Sequence, residues 1–551
     1  MTNKDRTRGE ILIPWLILTL SGFVMIGLTI HLSGSHFLSL LSSDHLYPHL
    51  FVKDWLEGEY PVDAWKFGSA TFLFPDYPIY GALLVALGDS GITFPVFAVI
   101  NMALLGAAFG FAFLRLGGIE GPIAFAAGYG LLGLVLAMQF LPLHELGLYW
   151  LLLPGFHGST VVVGLGLCVV LIDGYCRNHL LGTGGKALVV AVGILGVYSS
   201  VLLFTQFLAP WALTMVVLNS SGDEDRSRTV RQQIRLVLAV LAGALLLRSA
   251  LMALNIWEYG VLFRHFPYPG AVWACFVDFI SELRGETGRR LWGFLGLYLL
   301  LIPITWVGLG AGRRCLPSSG WQVLGVFVVF SVLSGILLPI VSLYWNGFVT
   351  SRYFLNLLVL PPLALGVWGL AHEGVRSRFK RWPSLIAAIL GAVAVMGVLS
   401  LNPLSAERFR FNYPDRVAEF DRMVAENGLS LGLSNYWYSH LYNELGNGTA
   451  FLNHVRDDGK PFFWCNNVYW YFGPRPTEAQ APLVFPDYDF VLMNGLDEAS
   501  IRAHYGDPME VMKGMFNTIF IYRDGNNGIR ETIAPEVAAW LDGKMLEVSA
   551  D

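Results

Sequence analysis

Asp44, Asp54, Glu57, Glu59, Asp63 and Asp76 fall within one short stretch near the N-terminus, mixed with His45, His49 and many aromatic residues. A carboxylate placed beside a hydroxyl can take its proton and turn a poor nucleophile into a competent one. Acids beside aromatics suit a polar substrate such as a sugar. The stretch offers no regular pattern of its own, and long irregular loops are often functional. Taken singly, each of these acids reads more readily as a solvated surface charge.

What must position them is a membrane domain. The chain has 551 residues, 54% hydrophobic and 14% charged, with a mean hydropathy of +0.54, whereas soluble domains carry roughly 25% charged residues. Such a chain cannot face water over most of its surface. The net charge of -5 and pI near 6.2 give no basic footprint for nucleic acid. Cys168, Cys176, Cys275, Cys315 and Cys465 form no Cys-x-x-Cys pair, so neither a zinc cluster nor a disulfide framework is indicated, although topology would allow a Cys275–Cys465 bridge.

A span needs about 20 apolar residues. Segments meeting that length lie near 11–30, 92–116, 121–138, 159–176, 187–201, 202–218, 235–254, 291–310, 321–342, 353–371 and 384–400. The expected membrane domain, 1–400, therefore has about eleven transmembrane helices and includes a first outer loop, 31–91. Between 187 and 218 the residues Tyr198, Ser199 and Ser200 interrupt one apolar run, which predicts two short helices meeting near the outer face. Lys4, Arg6, Arg8, Arg115, Arg177, Arg226, Arg313 and Arg376 crowd one set of connections, so the N-terminus is expected in the cytoplasm. An odd number of spans then puts residues 401–551 outside, in the periplasm of a bacterial inner membrane. This tail is expected to be a soluble α/β domain. Pro414 opens a helix to Glu426, stopped by Asn427-Gly428, and Leu429–Leu433, Phe490–Met493 and Thr518–Tyr522 read as strands.

Several polar groups sit where the membrane disfavours them. Arg352 lies at the outer end of a span, against the positive-inside bias. Arg248 lies about 9 Å below the outer boundary of its span at about 1.5 Å per residue, a depth at which a charge is costly and functional by default. His144, Glu145 and His157 occupy the second outer connection. Interfacial anchoring and snorkelling remain the alternative for each.

The order of these features resembles the C superfamily of glycosyltransferases (GT-C). The matching residues are Asp44, Asp54-Trp55, the Pro-rich end Pro75-Asp76-Tyr77-Pro78-Ile79-Tyr80, a short apolar stretch before the second span, and Ser351-Arg352-Tyr353 opening a late span with Pro361-Pro362. Asn435-Tyr436-Trp437 and the Cys465–Tyr471 stretch resemble the tails of bacterial members. The resemblance implies inverting transfer of a sugar from a polyprenyl-phosphate donor to a cell-envelope glycan or lipid acceptor at the outer membrane face. It implies that Asp44 is the base; by its position Glu145 could orient the acceptor or replace Asp54 as the supporting acid. Arg352, with Arg248 and His157 as helpers, would hold the donor phosphate. Asp76, Tyr77 and His144 would contact the acceptor or sugar. His45 follows Asp44 where many members have a second acid, and the loop holds no Asp-x-Asp, so transfer without metal or other cofactor is expected. His45 and His49 would share an ion only if their stretch is helical. The expected partners are the lipid-linked donor, the acceptor and membrane lipid, with no nucleic acid. A transporter or flippase of lipid-linked sugars is the main rival, but its polar groups would sit in repeat-related spans near the midplane. A non-catalytic assembly protein displaying its tail would make the loop acids dispensable.

Overall fold

The computed structural model describes residues 43–58, 60–68, 70–88, 92–119, 121–137, 157–218, 224–254, 258–259, 269–311, 320–341, 353–371, 414–473, 485–523 and 527–549, with 15–22 and a few single positions. They fall into two units. The first takes residues Phe94–Leu246 and Phe263–Phe409 with the N-terminal segment, and the second takes Gly34–Thr93, Leu247–Leu262 and Arg410–Asp551.

The first unit is helical. Among the described residues, five helices are long and apolar enough to cross a membrane: Thr93–Arg115, Gly158–Cys176, Val201–Leu218, Glu224–Ala253 and Gly320–Val341. Shorter apolar helices include Gly121–Leu136, Thr183–Ser199, Phe294–Thr305 and Leu355–Ala371. This is an apolar helical assembly of the kind a membrane holds, with fewer full-length spans than eleven. Segment 384–400 and nine of the twenty residues of 11–30 lie outside the described residues. Small residues let the helices approach: a Cβ on Gly106 would come within 2.3 Å of the Tyr129 ring, and one on Gly164 within 2.4 Å of Phe207. The run 187–218 does break at Ser200, which is extended at φ -152°, ψ 117°. A π-helical stretch follows at Phe204–Leu208. Such a turn leaves carbonyls without helical partners, and here Ser334 donates to the Thr205 carbonyl at 2.6 Å while Ser331 and Asn356 donate to that of Gln206 at 2.5 and 3.3 Å.

The second unit joins the first loop to the tail, so the loop does not cluster with the membrane helices as expected. Its elements are α1 (Ser43–Glu57), β1 (Trp65–Phe67), α2 (Asp76–Leu87), β2 (Glu258–Tyr259), α3 (Asp415–Glu426), β3 (Leu431–Asn435), α4 (Tyr436–Leu445), β4 (Phe451–Val455), β5 (Asn466–Asn467), β6 (Phe490–Leu492), α5 (Glu498–Tyr505), β7 (Glu510–Lys513), β8 (Thr518–Ile521) and α6 (Asn527–Ser549). The physical reason for the grouping is backbone pairing. Strand β1 pairs antiparallel with β5, Trp65 opposite Asn467, and parallel with β2. A second sheet has the order β4-β3-β6-β8-β7, parallel from β4 to β6 and antiparallel beyond. Leu433, Val455, Val491, Ile501, Phe520, Ile529 and Ile533 are buried in its core. Helix α3 starts after Pro414 and buries Val417, Phe420 and Val424 on one face, as its 3.6-residue period requires; Gly428 at φ 56° ends it. The thiols of Cys275 and Cys465 are both free, so no bridge joins them.

Because α1 and β1 take their partners from the tail, a chain ending at Phe409 should lose amide-exchange protection across Ser43–Glu57. Unchanged protection there would mean that the loop orders itself without the tail.

Candidate functional site

Among the described acids of the loop, Asp44 and Asp76 fall in one cluster, with Tyr436 and Cys465, and Asp54 in another, with Asn467 and Trp470. Asp44 lies in the first turn of α1, where the helix dipole favours a negative charge. Its Oδ1 accepts a 2.5 Å hydrogen bond from the hydroxyl of Tyr436. Tyr436 is the first residue of α4, which Asn435 caps by accepting from the Trp437 N–H at 3.0 Å. The neighbouring Ser43 hydroxyl donates to the Tyr436 carbonyl, so consecutive residues of α1 hold one residue of the tail at both ends. The Tyr436 ring is buried among His454, Phe462 and His440, with centroids 5.2, 5.6 and 5.7 Å away. Burial, and then the charge of Asp44, push the Tyr436 phenol well above its ordinary range, so it remains a proton donor.

Cys465 joins the same group through a hydrogen bond with Tyr436. It holds a left-handed conformation at φ 51°, rare for a residue with a side chain and often found at functional sites. Gly68 faces it: a Cβ there would come within 3.1 Å of the Cys465 Sγ. Tyr47 lies within electrostatic reach of Asp44, Asp76 and Tyr77 and donates its hydroxyl to the Ala70 carbonyl at 2.6 Å. Asp76 and Tyr77, both buried, open α2, and the Tyr77 ring stacks on Phe51 at 4.8 Å. Asp44, Asp76, Tyr47, Tyr77, Tyr436 and Cys465 therefore share one neighbourhood, in which Asp44 is the acid that is only half-buried.

Asp54 is three turns along α1 and sits in a different setting. It is 6% exposed. Its Oδ2 accepts from the Trp65 indole at 2.8 Å and from the Asn467 amide at 3.4 Å, with Trp470 as a further donor. Burial outweighs those donors and pushes its carboxyl up to about 8. A carboxyl largely protonated at neutral pH is a poor general base there, and Asp54 serves as the hub that ties α1 to β1 and β5. On the same helix His49 reaches Glu444 at 3.1 Å. The stretch holding His45 and His49 is helical, which sets them one turn apart. Among the described residues, no group of three His, Cys, Asp or Glu side chains is arranged to hold a metal ion.

The first unit gathers polar groups of its own. His157 precedes helix Gly158–Cys176 in a left-handed conformation at φ 62°. Its Nδ1 lies 3.2 Å from the Ser200 hydroxyl, at the helix break, and its ring is 5.7 Å from that of Tyr353. The Gln206 amide, in the π-helical stretch, donates to the Tyr353 carbonyl at 3.0 Å. Arg352 adjoins Tyr353 in sequence but, with His144 and Glu145, lies outside the described residues. Arg248 is half-buried near the end of helix Glu224–Ala253 and falls in the second unit.

Sequence reasoning picked out Asp44, Asp54, Asp76, Tyr77 and His157, but not their partners Tyr436, Cys465, Asn467, Ser200 and Tyr353 in these roles. The signal available was the pair of tail motifs, Asn435-Tyr436-Trp437 and Cys465–Tyr471, whose polar and aromatic residues pair with one loop acid each. The chain matches no known protein-family model and no curated protein.

The Asp54 carboxyl moves from 3.8 to about 8 on folding. The folded state thus binds the extra proton between those values, and the stability this gives is complete below the lower one and lost as pH rises through the upper. Thermal midpoints of the detergent-solubilised protein should fall from pH 5 to pH 8. The fall should shrink in Asp54→Asn, whose amide oxygen still accepts from Trp65. An identical pH slope in the two proteins would show that Asp54 does not bind that proton.

Proposed function

We propose that the chain is a polytopic GT-C glycosyltransferase of the bacterial inner membrane, with an eleven-helix membrane domain and a periplasmic α/β tail. It moves a sugar from a polyprenyl-phosphate donor to a cell-envelope glycan or lipid acceptor, with inversion at the anomeric carbon. The observation that carries this reading is the setting of Asp44, the half-buried acid of the loop, oriented by the Tyr436 hydroxyl beside Asp76, Tyr47 and Tyr77.

In this reaction the acceptor hydroxyl oxygen forms the new bond to the anomeric carbon as its proton passes to Asp44. The bond from that carbon to the phosphate oxygen breaks, and the polyprenyl phosphate leaves with the electron pair. Inversion follows because attack comes from the face opposite the leaving group. The leaving phosphate needs positive charge and donors more than a proton. From the sequence alone, Arg352, with Arg248 and His157 as helpers, is proposed to hold that phosphate. Asp76 and Tyr77 are read as contacts of the sugar or acceptor. Asp54 is reassigned from supporting acid to the anchor of α1, since burial keeps its proton on.

Asp44→Asn keeps the side-chain volume and the helix but removes the proton acceptor, so transfer should fall by about 10²- to 10⁴-fold with the fold intact. Activity within about threefold of wild type would refute Asp44 as base, given that base loss costs at least about a hundredfold.

Neutralisation of the phosphate by side chains alone makes a second outcome testable. Transfer should survive excess EDTA and show no stimulation by Mg²⁺ or Mn²⁺; loss with EDTA and rescue by Mn²⁺ would make Asp44 a metal ligand instead.

A further inference from the structure

We propose that the C-terminal domain completes the catalytic apparatus: the Tyr436 hydroxyl is a positioning group that fixes the Asp44 carboxylate in its ionised, proton-accepting form. This rests on Asp44 as the base. A carboxylate on the first turn of a helix has a free torsion about its terminal bond, and its two oxygens exchange unless a donor holds one of them. Here the donor is a buried phenol whose ring is walled by His454, Phe462 and His440, and whose backbone carbonyl is tied to Ser43. The hydrogen bond fixes Asp44 relative to the tail sheet, since Asn435, which caps α4, also reaches the Asp457 carboxylate at 2.6 Å and the Gly495 carbonyl at 3.0 Å.

The charge logic agrees with the geometry. A hydrogen bond donated to a carboxylate favours its ionised form and lowers its proton affinity. Tyr436 itself stays protonated because burial and the neighbouring charge both oppose a phenolate. It therefore keeps Asp44 ionised and in one orientation at neutral pH, at some cost in intrinsic basicity, without competing for the proton. The tail is then neither a display module nor only an acceptor platform.

The test uses the full-length protein in nanodiscs and has two readouts. The first is an infrared titration of the protonated-carboxyl band that disappears in Asp44→Asn. In Tyr436→Phe, which keeps the ring, the midpoint of that band should rise by about one pH unit or more, the tenfold shift expected on losing a bond to a charged group. With 3-fluorotyrosine at position 436, a stronger donor on nearly the same ring, it should fall, which keeps the test open if the Phe variant misfolds. A midpoint unmoved in both proteins overturns the positioning role. The second readout is transfer from a polyprenyl-phosphate hexose. Tyr436→Phe should lower kcat about tenfold or more, with donor KM within about threefold, and should add little to the defect of Asp44→Asn, because the two groups act as one unit. An unmoved titration with Asp44→Asn inactive overturns the role of Tyr436 alone. Asp44→Asn turning over at the wild-type rate overturns the base reading and the positioning role with it.

Discussion

The arrangement of the second unit depends on the docking of one helix, Ser43–Glu57, onto a domain that lies almost four hundred residues further along the chain. That helix carries few of its own reasons to be ordered: ten of its residues are buried, and what they are buried against is supplied by the tail and by α2. Hydrogen bonds from Tyr436 to Asp44 and from Asn467 to Asp54 fix it near both ends. Between them His49 and Lys53 meet Glu444 at 3.1 and 3.9 Å. Each of these is a buried or half-buried polar contact, and such contacts contribute more to specifying one arrangement than to net stability. Ordering the loop in this way gives two of its carboxylates distinct environments, Asp44 half-buried beside the Tyr436 hydroxyl and Asp54 closed, with its carboxyl pushed up by burial.

The contrast between Asp44 and Asp54 is the chemical content of the site. Both are aspartates on one helix. The first has a charged-form donor, a helix N-terminus and partial access to solvent. The second has an indole, an amide and almost no solvent, and burial wins over its donors. Environments that push two acids apart in this way are how a protein assigns different roles to identical side chains. In the first unit a comparable economy operates on the backbone: the π-helical stretch frees carbonyls that Ser331, Ser334 and Asn356 then satisfy. The break at Ser200 gives His157 its neighbour.

Much of this was legible in the sequence because the signals were local. The helix from Asp415 to Glu426, the strands near 431, 490 and 518, and the break at Ser200 follow from apolar period and punctuation, and each is found within a few residues of where the pattern puts it. Asp44 and Asp76 are singled out by the resemblance of the loop's motifs to the GT-C pattern, since by type alone each loop acid reads as a surface charge. Tyr436 reads from the sequence equally as core packing or as a ring that could stack on a sugar, and not as the partner of Asp44, because the two are separated by most of the chain. Asp54 was misjudged for the same reason. Its carboxyl is pushed up by burial, partly offset by Trp65, Asn467 and Trp470, and no spacing in the sequence reports that a tail strand pairs with a loop strand.

The most direct measurement of the central claim is the anomeric configuration of the product. Purified full-length protein in nanodiscs would be given polyprenyl-phosphate sugars of known configuration with a crude lipid and glycan acceptor fraction, and the new glycosidic linkage read by NMR. The account predicts consumption of one such donor and a product of inverted configuration. A product of retained configuration, or movement of intact donor between leaflets with no new glycosidic bond from any donor tried, would contradict it.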